Sequence, residues 1–266
     1  MATGKSVRLD RIASNGMMVC VPIDHGLSSG PIQGLESIEK TILSIERGGA
    51  TSILAQKGVF KSMKQSIKMG RIVHLSGSTE MSNFPDRKVQ VGSVESAIRM
   101  GADAISIHVN VGSKDEHEMI EQLGRVADSC DEWGMPLIAM MYPRGESTGD
   151  SYDAKIVSHV ARIGAELGAD IVKTVYTGNT KSFAKVIESC PVPIVVAGGP
   201  KIKNDRDALQ IVYDAISAGA KGVTFGRTVF QHASPERMTR ALSSIVLTGA
   251  TVDEALKVSD DGREKG

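Results

Sequence analysis

Cysteine is scarce in this 266-residue chain: Cys20, Cys130 and Cys190 stand far apart, are odd in number and have no C-x-x-C spacing. That argues against a disulfide framework and for free core thiols in a reducing compartment. No run approaches the roughly 18 apolar residues of a membrane span. The stretch from Met1 to Ser6 also lacks the apolar core of a secretory leader, so a cytoplasmic protein is expected. Charge of one sign is absent as well. Lys plus Arg equals Asp plus Glu at 31 each, so no global field recruits nucleic acid or an anionic membrane. Any anionic ligand must therefore be met by local groups. Linkers and low-complexity segments are missing too.

What remains is a chain with 41% hydrophobic and 23% charged residues, enough to bury a large core. Eight short apolar runs recur along it: Val19–Asp24, Ser52–Gln56, Arg71–Ser76, Ala104–Val109, Pro136–Tyr142, Asp170–Val175, Pro193–Gly198 and Gly222–Gly226. They are continuous rather than alternating, which predicts strands buried on both faces, as in a parallel sheet covered by helices. Between them, Ile38, Ile42 and Ile45 recur at helical spacing. So do Met119, Leu123, Val126 and Cys130, and Val157, Val160, Ile163, Ala165 and Leu167 fill most of one face. A faint repeat supports the count. Gly49-Ala50, Gly101-Ala102, Gly168-Ala169 and Gly219-Ala220 precede the second, fourth, sixth and eighth runs, where a helix ending in glycine turns into a strand. Pro136 and Pro193 open the fifth and seventh runs instead and cannot continue the preceding helix. Eight strand-helix units predict an α/β fold, a single-domain (β/α)8 barrel over residues 1–258 with a solvated tail at 259–266. An open doubly wound sheet is the alternative. Residues 144–150 read as a mobile polar loop over the barrel mouth.

Lys173 is the odd residue, a charge inside the apolar run of the sixth strand, where an ammonium is costly unless it is used. Partial desolvation would keep its amine neutral and able to attack a ketone, forming a Schiff base. Otherwise it snorkels to solvent. Other unusual residues fall at strand ends, the face that carries chemistry in such barrels. Asp24 follows the first strand, as proton acceptor, hydroxyl anchor or helix cap. Tyr142 ends the fifth, as proton donor or rim packing, followed by Pro143 and Arg144. Gly198 and Gly199 follow the seventh strand and Gly226 and Arg227 the eighth, a pattern that suits phosphate. Lys201 is a second, more exposed candidate lysine. His25, His74 and His108 lie near strand ends and allow a zinc alternative, without the short ligand spacing that would support it. A barrel that merely binds a sugar phosphate would not need a lysine within its sixth strand.

Five segments together resemble the archaeal-type aldolase family that includes class I fructose-bisphosphate aldolase: Val21–Gly26, Met140–Gly145, Asp170–Thr174, Val195–Lys201 and Gly226–His232. The likeness runs from about Val7 to about Lys257. It implies class I chemistry with neither cofactor nor metal, in which Lys173 forms the Schiff base, Tyr142 donates a proton and Asp24 accepts one. Gly198, Gly199, Gly226 and Arg227 would hold a sugar phosphate, with His25, Gly26, Leu27, Ser28, Pro143 and Arg144 also lining the site. Two activities of the family remain open. One cleaves fructose 1,6-bisphosphate. The other moves a hydroxyacetone unit from 6-deoxy-5-ketofructose 1-phosphate to L-aspartate 4-semialdehyde, on the way to 3-dehydroquinate and the aromatic amino acids. Ile107–Ser113 and Glu132–Tyr142 favour the second. A second phosphate would need further basic residues at the mouth, for which Lys57, Arg144 and Lys201 are the candidates. The family also implies homo-oligomers, rings of barrels such as decamers.

Overall fold

The computed structural model describes residues 4–199, 202 and 204–260, and at its centre eight parallel strands close into a barrel. They are β1 (Met18–Pro22), β2 (Ser52–Gln56), β3 (Gly70–His74), β4 (Ala104–Val111), β5 (Leu137–Pro143), β6 (Ile171–Val175), β7 (Ile194–Ala197) and β8 (Gly222–Thr224). Each pairs with its neighbour in chain order, and β8 returns to β1 with Gly222 opposite Met18. Each of the eight apolar runs carries one strand, and closure decides for the (β/α)8 barrel over the open sheet.

The continuous apolar pattern has the expected cause. One set of strand residues, including Val19, Ile53, Val73, Ile105, Ala139, Val172 and Val223, packs outward against the helices. The alternate set, including Cys20, Leu54, Ile72, Ala104, Ile138, Ile171 and Val195, fills the lumen. Helices Ile38–Arg47, Glu116–Glu132 and Ala154–Glu166 bury the stripes read from the sequence: Ile42 and Ile45; Met119, Leu123, Val126 and Cys130; Val157 and Val160. Gly49, Gly101, Gly168 and Gly219 take φ of +85°, +75°, +93° and +106°, the left-handed turn from helix to strand that glycine adopts without strain. The three cysteines are buried and free. Among the described residues no helix is long and apolar enough to cross a membrane.

Three elements went unread in the sequence. A helix at Gly4–Ile12 closes the bottom of the barrel, where Ile12 is fully buried beside the lumen residues. Gly70 makes room for it, since a Cβ there would sit 2.5 Å from the Arg11 carbonyl oxygen. After β3 the chain makes an excursion over residues 75–93, held by a short antiparallel hairpin of Ser76–Gly77 with Val89–Gln90. The final helix, Val252–Asp260, runs two residues into the stretch read as a tail; residues 261–266 lie outside those described.

Candidate active site

The top of the lumen opens into a cleft of about 810 Å³, and Lys173 stands in its wall. On β6 the side chains of Ile171 and Lys173 share the inward direction, so the lysine continues an apolar file. It is only 6% exposed and does not snorkel. Its Nζ lies 4.0 Å from Met140 Sδ. Burial pulls the amine's pKa down, but Tyr142, Asp24 and Cys20 outweigh it, and the pKa stands above its ordinary value. The surroundings therefore oppose the neutral amine that desolvation alone would favour.

Asp24 is the carboxylate among those neighbours. It stands at the start of the helix His25–Ser29, yet its side chain makes no capping bond. One carboxylate oxygen lies 3.5 Å from His25 Nδ1 and the other 3.9 Å from His74 Nε2. Burial opposes its charge, but His74, His25 and Lys173 hold its pKa below the usual value, so it is ionised at neutral pH. His74 is anchored by a 2.8 Å contact between Nδ1 and Ser106 Oγ, and burial brings its pKa down to about 4. His25, also depressed by burial, packs edge-on against Phe230 with ring centroids 5.1 Å apart.

Tyr142 ends the inward file of β5 after Ile138 and Met140. Its ring lies 4.9 Å from that of His108, and the Arg144 guanidinium sits 4.8 Å above it. His108, which lines the cleft, contacts Asn110 Oδ1 through Nε2 at 2.7 Å. Burial, with Lys88 and Arg144 nearby, keeps its pKa well below the ordinary value. Among the described residues no three His, Cys, Asp or Glu side chains gather as a metal site.

Across the mouth, Gly226 precedes the four-residue helix Arg227–Phe230. A Cβ on Gly226 would sit 2.8 Å from both Pro22 O and His25 Cε1, so the turn packs directly on the Asp24 segment. Arg227 donates to Gly199 O at 2.9 Å. Its Nε is buried without a partner, an orphaned donor beside glycines whose backbone is open to approach. That combination fits an anion.

The cleft is lined by Asp24, Tyr142 and Lys173, and by every other expected residue except Gly26. Lys57 is turned away and donates to Val91 O at 2.5 Å; Pro200 and Lys201 lie outside the described residues. Arg144–Asp150 is exposed as expected and is tied down where the Arg144 N–H donates to Val111 O at 2.9 Å. Lys88 lines the cleft and went unread. It lies in the aperiodic excursion after β3, and its only local signal is a lysine two positions after Asp86 in a turn-rich stretch.

Comparison with known proteins places this geometry. Residues 18–232 match the model of the DeoC/LacD family aldolases. A 2-amino-3,7-dideoxy-D-threo-hept-6-ulosonate synthase of Halobacterium salinarum is 42% identical over 254 residues, 95% of each chain. A 2-amino-4,5-dihydroxy-6-oxo-7-(phosphonooxy)heptanoate synthase of Streptomyces griseus is 38% identical, covering 93% of this chain and 92% of its own. Among solved structures, an archaeal fructose 1,6-bisphosphate aldolase superposes with a TM-score of 0.85 at 30% identity, over 92% of this chain and 99% of its own.

Proposed function

The chain belongs to the DeoC/LacD family of aldolases, and we propose that within it this enzyme is a Schiff-base transaldolase with 2-amino-3,7-dideoxy-D-threo-hept-6-ulosonate synthase activity. It passes a hydroxyacetone unit from 6-deoxy-5-ketofructose 1-phosphate to L-aspartate 4-semialdehyde and releases hydroxypyruvaldehyde phosphate. The observation that carries the chemistry is Lys173, buried in the barrel wall with Asp24 and Tyr142 as its polar neighbours. The choice of substrates is supported by the relatives at 42% and 38% identity, both named for 2-amino seven-carbon acids.

In this reading Asp24 takes the proton that Lys173 must shed, and the free amine adds to the donor ketone. Tyr142 protonates the hydroxyl that leaves as water when the imine forms. The resulting phenolate then removes the proton of the hydroxyl two carbons from the imine carbon. The bond between that hydroxyl-bearing carbon and the carbon next to the imine breaks, its electrons move into an enamine, and the oxygen becomes the aldehyde of the departing phosphate ester. Addition of the second aldehyde reverses these steps, and water releases the product from Lys173. Arg227 and the backbone at Gly198, Gly199 and Gly226 hold the donor phosphate. We assign this chemistry to one barrel domain at residues 1–258, in a cytoplasmic homo-oligomer serving 3-dehydroquinate and aromatic amino acid synthesis.

Fructose 1,6-bisphosphate cleavage is the second reading, favoured by the 30% identical aldolase structure and by basic groups at two places in the mouth, Arg227 and Lys88 with Arg144. Steady-state kinetics separate the two. The purified protein should convert the 5-ketofructose phosphate with aspartate semialdehyde at a far higher kcat/KM than it cleaves the bisphosphate. The reverse ranking replaces the transaldolase with the aldolase.

A further inference from the structure

The cleft is charged differently on its two sides. On the β7–β8 side stand Arg227 and the three glycines Gly198, Gly199 and Gly226. The side built by β5 and by the excursion after β3 carries Lys88, Arg144 and Asp86, while Glu80 sits where the excursion meets the segment after β1. Neither Lys88 nor Arg144 has an ion-pair partner among the described residues. Lys88 Nζ is held by Ser78 Oγ and, at 2.8 Å, by Pro85 O. Arg144 rests on the Tyr142 ring. Burial and the Arg144 charge push the Lys88 pKa down while Asp86, Asp24 and Glu80 pull it up, as expected where unlike charges share one mouth.

The segment is fixed from below rather than left loose. Asn110, buried on β4 and held by His108, donates through Nδ2 to Asp86 O at 2.7 Å. Arg87, between the two cleft-facing residues, turns outward to Glu118 at 2.7 Å. Glu80 accepts from Ser29 Oγ at 2.6 Å, which ties the far end of the excursion to the segment after β1. Two cations and the Asp86 carboxylate are thus presented on a built edge beside the tyrosine assigned to the aldehyde oxygen.

We infer that Lys88 and Arg144, together with Asp86, form a subsite for the zwitterionic head of the acceptor: its carboxylate on the two cations, its ammonium on Asp86. The occupant rests on the proposed reaction, which supplies a 2-amino-aldehyde acid. A phosphate dianion fits this edge less well, because Asp86 repels it, whereas the Arg227 side offers backbone glycines and a cation. The charge pattern of this edge therefore suits an amino-acid head better than a phosphate. It also explains a lysine and an aspartate that imine chemistry does not need.

L-homoserine carries the same head as aspartate semialdehyde but has an alcohol that cannot react, so its binding is read without turnover. Calorimetric titration of homoserine, and separately of inorganic phosphate, into the full-length protein should show homoserine weakened about ten- to a hundredfold by Lys88→Met and by Asp86→Asn, the usual range for a lost charge-assisted contact. Phosphate affinity should stay the same in both variants. 4-Hydroxybutanoate, which lacks the ammonium, should respond to Lys88→Met and not to Asp86→Asn. Homoserine affinity unchanged in Lys88→Met, undetectable homoserine binding to the wild-type protein, or loss of phosphate in place of homoserine each overturns the assignment. If homoserine follows Lys88 while the ketose phosphate is not turned over, the subsite stands and the proposed reaction falls.

Discussion

At the bottom of the lumen the inward side chains are Met18, Leu54, Ile72, Ala104, Ile138 and Ile171, with Ile12 of the N-terminal helix as a plug. Two residues further along each of three strands the same direction carries different groups: His74 after Ile72, Ser106 after Ala104, Lys173 after Ile171. The backbone is the same and the pleat is the same, so the contrast lies in the side chains alone. Below, each well-buried aliphatic contributes about 1.5–3 kcal/mol through transfer from water. Above, the positions hold charges and neutral imidazoles whose desolvation costs stability. One barrel therefore stores its stability at one end and spends part of it at the other, as expected where a strained or buried polar site does chemistry.

The largest expected effect tests that division at Lys173. Lys173→Met should abolish the adduct trapped by borohydride with a ketose phosphate and lower kcat by more than about 10⁴-fold, the scale of losing a covalent nucleophile. The same change should lower Tm, because neighbours that outweigh the burial of the ammonium lose their partner, Asp24 among them. A rise in Tm would mean that the ammonium is not compensated in place. An adduct retained in the variant would move the nucleophile elsewhere, with Lys201 the first place to look.

Tyr142→Phe should act more mildly, at the two steps assigned to its phenol, loss of water on the way to the imine and proton removal during C–C cleavage. The ring and its contacts with His108 and Arg144 remain, so trapping by borohydride should be slowed rather than lost while turnover falls about 10²–10⁴-fold, the usual share of general acid–base catalysis. Unchanged turnover would return Tyr142 to rim packing. The matching change at the bottom is Ile72→Ala. Chemical denaturation should show a loss of about 2–5 kcal/mol, transfer plus cavity, with kcat/KM unchanged in the folded fraction. A variant that kept its stability and lost activity would break the separation of the two ends.

How much of this could be read beforehand follows from the same contrast. The eight strands were legible because burial on both faces leaves unbroken apolar runs, and the Gly-Ala pairs marked where helices end. Lys173 was legible as a charge in such a run. Lys88 was not, because nothing local marks it. Its position comes from a hairpin pairing and from the Asn110–Asp86 bond, both made across the fold. Lys57 illustrates the converse. It follows a strand and looks suited to the mouth, but its amine is drawn to the Val91 carbonyl. The protonation state of Lys173 also escaped a sequence argument, because burial and three ionisable neighbours act in opposite senses and only their placement decides the sign.

The smallest expected effect separates the two ends by pH. His74 is 4% exposed and burial brings its pKa to about 4, against an ordinary imidazole value of about 6.5 in the unfolded chain. Between those values the unfolded chain binds a proton that the native chain refuses. Stability is therefore full above about pH 6.5 and declines as the pH falls toward 4, by on the order of 3 kcal/mol for a buried group with this shift. His74→Gln removes the titration while keeping an amide in reach of Ser106 and Asp24. Its denaturation midpoint, followed from pH 7.5 to 4, should slope less steeply than that of the wild-type protein, with some slope left because His108 is depressed as well. Ile72→Ala, two residues below on the same strand, should run parallel to wild type at lower stability throughout. Coincident slopes for His74→Gln and wild type would mean that His74 titrates normally in the folded protein. The mouth would then be far better solvated than its burial implies.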